Sequence, residues 1–228
     1  MELKDKVVVI TGGSRGFGKA LAEAFLNEGA KVAICSLNEE EVRKTATETG
    51  ALGVCGDVTK EEEMKTLAEK TKTKFGKIDV WVNNAGLWMT GLAEDVDMEK
   101  VRKMFEVNVI GLINGSRVAL RHMKEKNSGV IINISSRASL SGRPLISEYA
   151  ASKWAVNGFT KSIREENKDT NILILSVMPG GMKTTIFGAD KPENFDNFMD
   201  VKDVAKKVIQ NLKLENPELD SLIERSKL

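Results

Sequence analysis

Two cysteines, one histidine, one tyrosine and four prolines are all that 228 residues hold of these types. Cys35 and Cys55 are too few and too unpatterned for a disulfide framework or a zinc site, and the sequence predicts two buried thiols in a reducing cytoplasm. His122 stands alone, late on a polar helical segment, with no carboxylate–histidine cluster around it, so no metal site is expected. Long apolar runs are missing too. Stretches such as Ile172–Leu175 fall far short of the ~20 residues that a membrane span needs. Met1–Lys6 carries mixed charges with no long apolar stretch behind it, so no secretory signal is expected. Charge of one sign is also lacking: 34 basic residues face 33 acidic ones, and a net +1 gives no electrostatic reason to seek nucleic acid or an anionic membrane. What is present is 41% hydrophobic residues over a length that suits one domain, residues 1–228.

Short apolar runs recur at Val7–Ile10, Val32–Ile34, Val54–Cys55, Val80–Val82, Val130–Ile134 and Ile172–Val177. Most are continuous, which suits strands buried on both faces of a parallel sheet. Segments with helical spacing lie between them, at Lys19–Asn27, Glu61–Lys74, Met98–Lys126 and Tyr149–Glu166. A last helix near Val201–Leu212 precedes a terminal strand near Leu219–Ile223, and the stretch of about 184–199 has no clear periodicity. The alternation predicts a doubly wound α/β sheet of the Rossmann type, with helices on both faces and ligands at the carboxyl rim.

Val7–Ile10 runs into Thr11-Gly12-Gly13-Ser14-Arg15-Gly16-Phe17-Gly18, where a helix pattern opens. Strand, glycine turn and helix in that order suit a dinucleotide pyrophosphate, since glycine admits close backbone approach and the helix end supplies free N–H groups. The spacing is GxxxGxG, so the turn also fits a purely packing role. An NAD site usually places an acid after the second strand to hold the ribose hydroxyls. Here that strand ends at Ser36-Leu37-Asn38, and Glu39, Glu40 and Glu41 read as first-turn acids of the next helix. Arg15 offers a guanidinium for a 2′-phosphate, or else a solvated surface residue. The balance favours NADP(H), with NAD(H) as the alternative.

Tyr149 and Lys153 stand at i and i+4, one turn apart on one helix face. An ammonium beside a phenol favours the phenolate and lowers its pKa into a range useful for proton transfer. Ser136 lies thirteen residues before Tyr149, beyond a strand end, with Ser135 competing for any role given to it. Asn108 sits among Phe105, Val109 and Leu112 on an apolar helix face, where a buried amide needs its hydrogen bonds met. Gly111 and Gly115 on that helix suggest close approach by a neighbour.

Taken together, these motifs resemble the short-chain dehydrogenase/reductase family, from about Lys4 to Thr184. The resemblance implies that Gly12, Ser14, Arg15, Gly16, Phe17 and Gly18 form the cofactor turn, with Ser36 and Leu37 at its adenosine end. It implies that Asp57 and Val58 hold the adenine, that Asn83-Asn84-Ala85-Gly86 lines the cofactor site, and that Pro179, Gly180, Met182 and Thr184 contact the nicotinamide end. Asn108, Ser136, Tyr149 and Lys153 fall where the family keeps its catalytic residues. Tyr149 would then exchange the hydroxyl proton, Lys153 would lower its pKa and hold the nicotinamide ribose, Ser136 would polarise the substrate oxygen, and Asn108 would hold a relay water.

The implied activity is hydride transfer between NADP(H) and a small-molecule carbonyl or alcohol. The alternatives are an NAD-dependent alcohol dehydrogenase or a non-catalytic dinucleotide sensor or scaffold. The glycine-rich tail that many members use in tetramers is missing, which leaves a homodimer, a homotetramer or a monomer open. The short 184–199 loop suggests an open site, and Arg137 could attract an anionic substrate or point to solvent. Trp88, Met89, Leu145, Trp154 and Phe187 are candidates to line the pocket, with core packing an equal expectation for Trp154.

Overall fold

Strands with no polar face must be covered on both sides, and the computed structural model, which describes residues 1–188 and 190–227, covers them in that way. Ala189, inside the predicted substrate loop, and Leu228, at the end of the predicted domain, lie outside the described residues. The strands are β1 (Val7–Thr11), β2 (Lys31–Ser36), β3 (Leu52–Cys55), β4 (Val80–Asn83), β5 (Gly129–Ile134), β6 (Ile172–Pro179) and β7 (Asp220–Ile223). They form one sheet in the order β3-β2-β1-β4-β5-β6-β7, and the paired strands run parallel.

The helices are α1 (Gly16–Asn27), α2 (Glu39–Thr49), α3 (Glu61–Phe75), α4 (Met98–Phe105), α5 (Leu112–Lys126), α6 (Ser147–Glu166) and α7 (Val201–Lys213). Successive strand residues feed opposite cores. Val8 and Ile10 join Leu21, Phe25, Val204 and Val208 beneath α1 and α7. Val9 and Ile131 join Met64, Leu67, Val118 and Ile163 beneath α3, α5 and α6. The strand order reverses between β1 and β4, so the glycine turn after β1 and the Asn84–Gly86 segment after β4 flank one crevice at the carboxyl rim.

Two expectations change. The Met98–Lys126 segment is broken by a π-helical turn, Glu106–Gly111, between α4 and α5. Such a turn inserts extra backbone and shifts the helical phase, a distortion often found at functional sites. The thiols also differ: Cys35 is buried, and burial pushes it up to about 12, but Cys55 is exposed because it ends β3 at the sheet edge. No helix among the described residues is long and apolar enough to cross a membrane.

A buried polar chain ties the middle of the sheet to α5 and α6. Asn83 Oδ1 accepts from Trp81 Nε1 at 2.8 Å, and Asn83 Nδ2 donates to Ser116 Oγ at 2.9 Å and Asn133 Oδ1 at 2.8 Å. Asn133 Nδ2 continues to Thr160 Oγ1 at 3.0 Å. Gly115 makes room for it, since a Cβ there would lie 2.1 Å from Asn83 Oδ1. Asn83→Leu would strand the Trp81 N–H and overfill that gap. We expect it to cost about 2–4 kcal/mol, read as a lower midpoint in urea with an unchanged slope.

Candidate active site

The glycine turn is anchored from β4. Thr11 Oγ1 accepts from the Asn84 and Ala85 N–H groups at 3.1 and 3.2 Å, while Asn84 Nδ2 donates to the Thr11 and Gly12 carbonyls at 3.0 and 3.1 Å. Gly12 has φ 64°, and a Cβ on Gly18 would lie 2.1 Å from the Gly12 carbonyl oxygen, so larger residues would force the turn open. Arg15 precedes α1 without a side-chain cap, as Lys60 and Ile146 precede α3 and α6, whereas Asn38, Asp97 and Asp200 cap α2, α4 and α7. The first-turn N–H groups of α1 thus have no side-chain acceptor from the cap position, which suits an anion.

Thr184 overhangs the turn, its Cβ 3.6 Å from where a Gly16 Cβ would stand. Phe17 is buried in the core, so only its backbone faces the turn. Ser36 and Leu37 end β2, with Leu37 70% exposed. One Asp57 oxygen accepts from the Thr59 N–H and hydroxyl at 2.9 and 2.8 Å, and Asn114 Nδ2 holds the Val58 carbonyl at 3.0 Å. Val58 fits against Gly111, where a Cβ would lie 2.6 Å from its Cγ2. On the other side of the crevice, Gly180 is tied by its N–H to the Ile223 carbonyl at 2.9 Å, Pro179 closes β6, and Met182 bridges to Met199.

Tyr149 and Lys153 face the crevice from α6. Lys153 is buried, its Nζ donates to the Ile134 carbonyl at 3.0 Å, and it stands 5.8 Å from the Tyr149 ring centroid. A Cβ on Gly86 would lie 3.3 Å from Asn108 Oδ1 and 3.9 Å from Lys153 Nζ, which locates all three groups together. The electrostatics depart from expectation. Burial pushes Tyr149 up to about 12, opposed by a hydrogen bond with Ser136, and burial pushes Lys153 down to about 8. One low-dielectric crevice penalises phenolate and ammonium alike, and this outweighs any help from the lysine.

The two serines separate. Ser135 Oγ donates to the Lys153 carbonyl at 3.2 Å, a packing bond, while Ser136 Oγ accepts from the Ala138 N–H at 3.1 Å and also meets the phenol. Asn108, on the π-helical turn, accepts at Oδ1 from Leu87 N–H at 2.7 Å. Its Nδ2 donates to the Leu87 carbonyl at 3.0 Å and Ser152 Oγ at 3.1 Å. Ser152 Oγ donates in turn to the Tyr149 carbonyl at 2.7 Å.

A family model described as short chain dehydrogenase matches residues 6–194. The chain belongs to the short-chain dehydrogenase family. An uncharacterized oxidoreductase of Staphylococcus saprophyticus is 35% identical over 222 residues, covering 93% of each chain. A 3-ketoacyl-(acyl-carrier-protein) reductase of Brucella melitensis, solved with NADH, is 27% identical with a TM-score of 0.92 over 99% of both chains. An alcohol dehydrogenase of the archaeon Thermococcus sibiricus, solved with 5-hydroxy-NADP, is 26% identical with a TM-score of 0.85, covering 98% of this chain and 97% of that one. The protein is an oxidoreductase with the fold of nicotinamide-dependent enzymes.

Several residues of this short-chain dehydrogenase escape sequence reasoning. Ser152 and Asn114 carry no motif of their own, and only packing reveals that they hold Tyr149 and Val58. Glu41 does begin α2, but its carboxylate also reaches back to the glycine turn. The 184–199 loop sends Phe187 to Trp88 beside the site. Trp88 meets Tyr149 edge-on at 4.7 Å between centroids and Phe187 at 5.1 Å, and Phe187 continues to Phe195 and Phe198 at 5.8 and 5.7 Å. Trp154 is 52% exposed, so it neither packs in the core nor joins this group. Arg137 is held by Glu224 at 2.9 Å, which offsets its charge toward an anionic substrate.

Proposed function

We propose that this dehydrogenase transfers hydride reversibly between a nicotinamide dinucleotide, NADP(H) ahead of NAD(H), and a carbonyl or secondary alcohol carbon of a small molecule. The observation that carries this reading is the meeting of Tyr149, Ser136 and Lys153 beside the glycine turn at the switch of strand order. The turn fits the dinucleotide: Gly12 and Gly18 leave no room for a Cβ, and α1 has no side-chain cap. Gly12, Ser14, Arg15, Gly16 and Gly18 would hold its phosphates, with Ser36, Leu37, Asp57 and Val58 toward the adenosine. Asn84, Ala85, Gly86, Pro179, Gly180, Met182 and Thr184 would lie toward the nicotinamide. When bound, the cofactor supplies or takes the hydride.

The chain's residues supply position and the proton. With its pKa near 12, Tyr149 stays protonated at neutral pH and serves as the acid that gives its proton to the forming alkoxide. Ser136 beside the phenol fixes the substrate oxygen within reach of it. Lys153 donates one of its three N–H groups to the Ile134 carbonyl, leaving two for the cofactor ribose and the phenol. Asn108 acts as a positioning residue. Both its amide hydrogens are used, and it locks Leu87, next to Trp88, to Ser152 under Tyr149.

The aromatic train from Tyr149 through Trp88 to Phe187 supports a substrate with an apolar body. Trp88 Nε1, a buried donor with no partner among the described residues, is available to a polar atom on it. NAD(H) stands as a second reading because Glu41 already pairs with Arg15 at 3.3 Å. Paired titration with NADPH and NADH, followed through tryptophan emission, tests the proposal. NADPH is expected to bind tighter, and reduction of aldehydes, ketones and 3-oxoacyl compounds should follow. If neither dinucleotide bound, the reading would be abandoned.

A further inference from the structure

At the adenosine end of the glycine turn, a carboxylate from α2 already sits on the groups that would read a 2′-phosphate. Glu41 Oε1 accepts from Arg15 NH1 at 3.3 Å, and Glu41 Oε2 lies 3.2 Å from Ser14 Oγ as acceptor. Ser14 Oγ is also 2.9 Å from Ser36 Oγ, so its single proton is shared between a neutral and an anionic acceptor. The arrangement is built rather than incidental. Asn38 Oδ1 caps the Glu41 N–H at 2.9 Å, which fixes the start of α2, and Thr45 Oγ1 donates to the Ser14 carbonyl at 2.6 Å, which holds α2 against the turn.

We propose that Glu41 is a specificity-determining residue for the cofactor: its carboxylate occupies Arg15 and Ser14 as an internal competitor of a 2′-phosphate and offers an acceptor to a free ribose 2′-hydroxyl. The inference rests on the reading that a nicotinamide dinucleotide binds this turn. A phosphate entering here must take Arg15 from Glu41 and then lie beside a like charge. The Arg15 and Glu41 side chains are 65% and 39% exposed, so the pair is screened and weak, and the phosphate can still break it. A dinucleotide without that phosphate meets no such competition and gains a carboxylate partner for its hydroxyl. Glu41 therefore narrows the preference that Arg15 alone would confer.

The test is direct binding of NADPH and NADH, read by tryptophan emission, to wild type, Glu41→Gln, Arg15→Gln and the double variant. Glutamine keeps the shape of Glu41, and circular dichroism and the denaturation midpoint should stay at wild-type values. Wild type is expected to prefer NADPH by less than about ten-fold. Glu41→Gln should raise the ratio of NADH to NADPH dissociation constants at least ten-fold further, most of it from tighter NADPH. In the Arg15→Gln background the same substitution should raise the ratio clearly less than in wild type, because the restrained guanidinium is gone and only the like-charge and hydroxyl contacts of Glu41 remain. An unchanged ratio in Glu41→Gln, with both dinucleotides still bound, overturns the role of Glu41 alone. Failure of wild type to bind either dinucleotide overturns the cofactor reading and this inference with it.

Discussion

Tyr149→Phe should lower the rate of hydride transfer at least a thousand-fold while changing the dissociation constant of the dinucleotide less than about three-fold. The size follows from the role proposed for Tyr149 as proton donor to the substrate oxygen, since positioned acids contribute ~10²–10⁴ and the phenol also meets Ser136. The ring itself remains, and its edge-on contact with Trp88 at 4.7 Å keeps the start of α6 in place. Ser136 loses a partner but keeps the bond from the Ala138 N–H. Single-turnover reduction beside an emission titration would measure both numbers. Substantial activity in the variant would remove Tyr149 from the chemistry.

Lys153→Met should act in opposite directions on turnover and stability. Lys153 is buried with one hydrogen bond to Ile134, and its pKa is pushed from 10.5 to about 8, so its ammonium costs the folded state free energy at neutral pH. Methionine fills a similar volume without charge. It should raise the unfolding free energy at pH 7 by on the order of a few kcal/mol, while turnover falls at least a hundred-fold.

The pH dependence isolates the cause. Below pH 8 both folded and unfolded chains hold the lysine proton, and wild type carries the whole penalty. Between about 8 and 10.5 the unfolded chain binds more protons, so wild-type stability rises with pH relative to Lys153→Met, and above that window the difference levels off. Tyr149, shifted up from 10.0 to about 12, acts in the reverse sense and only above pH 10. Denaturation midpoints of both proteins at pH 7 and 9.5 would show convergence; parallel values would mean that burial does not penalise this ammonium. Wild-type reduction should also fall above about pH 8, as Lys153 loses its proton.

These two side chains show how far a sequence carries. Their i, i+4 spacing is enough to place them on one face of α6, and the strand before Ser136 is enough to bring it to the same rim. Their protonation was not legible. Proximity suggests a lowered phenol pKa, but spacing along a helix carries no information on the desolvation that both groups share, and burial is a property of the assembled crevice. Asn108 repeats the lesson. Its place on an apolar helix face marked it as buried, yet its partners Leu87 and Ser152 lie 21 and 44 residues away, and the π-helical turn that aims it has no signature in the hydrophobic pattern.

By itself the sequence determined the parallel α/β architecture, the glycine turn at the end of β1 and the face shared by Tyr149 and Lys153. Each of these follows from periodicity or spacing within one or two adjacent elements, where backbone geometry converts sequence distance directly into position. Packing between separate elements settles that Glu41 reaches Arg15 and Ser14, that Trp88 stands between Tyr149 and Phe187, that Cys55 is exposed and that Lys153 is charged at a cost. Those outcomes depend on which side chains meet when separate elements pack and on how much water that packing removes, and neither quantity is written in the spacing along the chain.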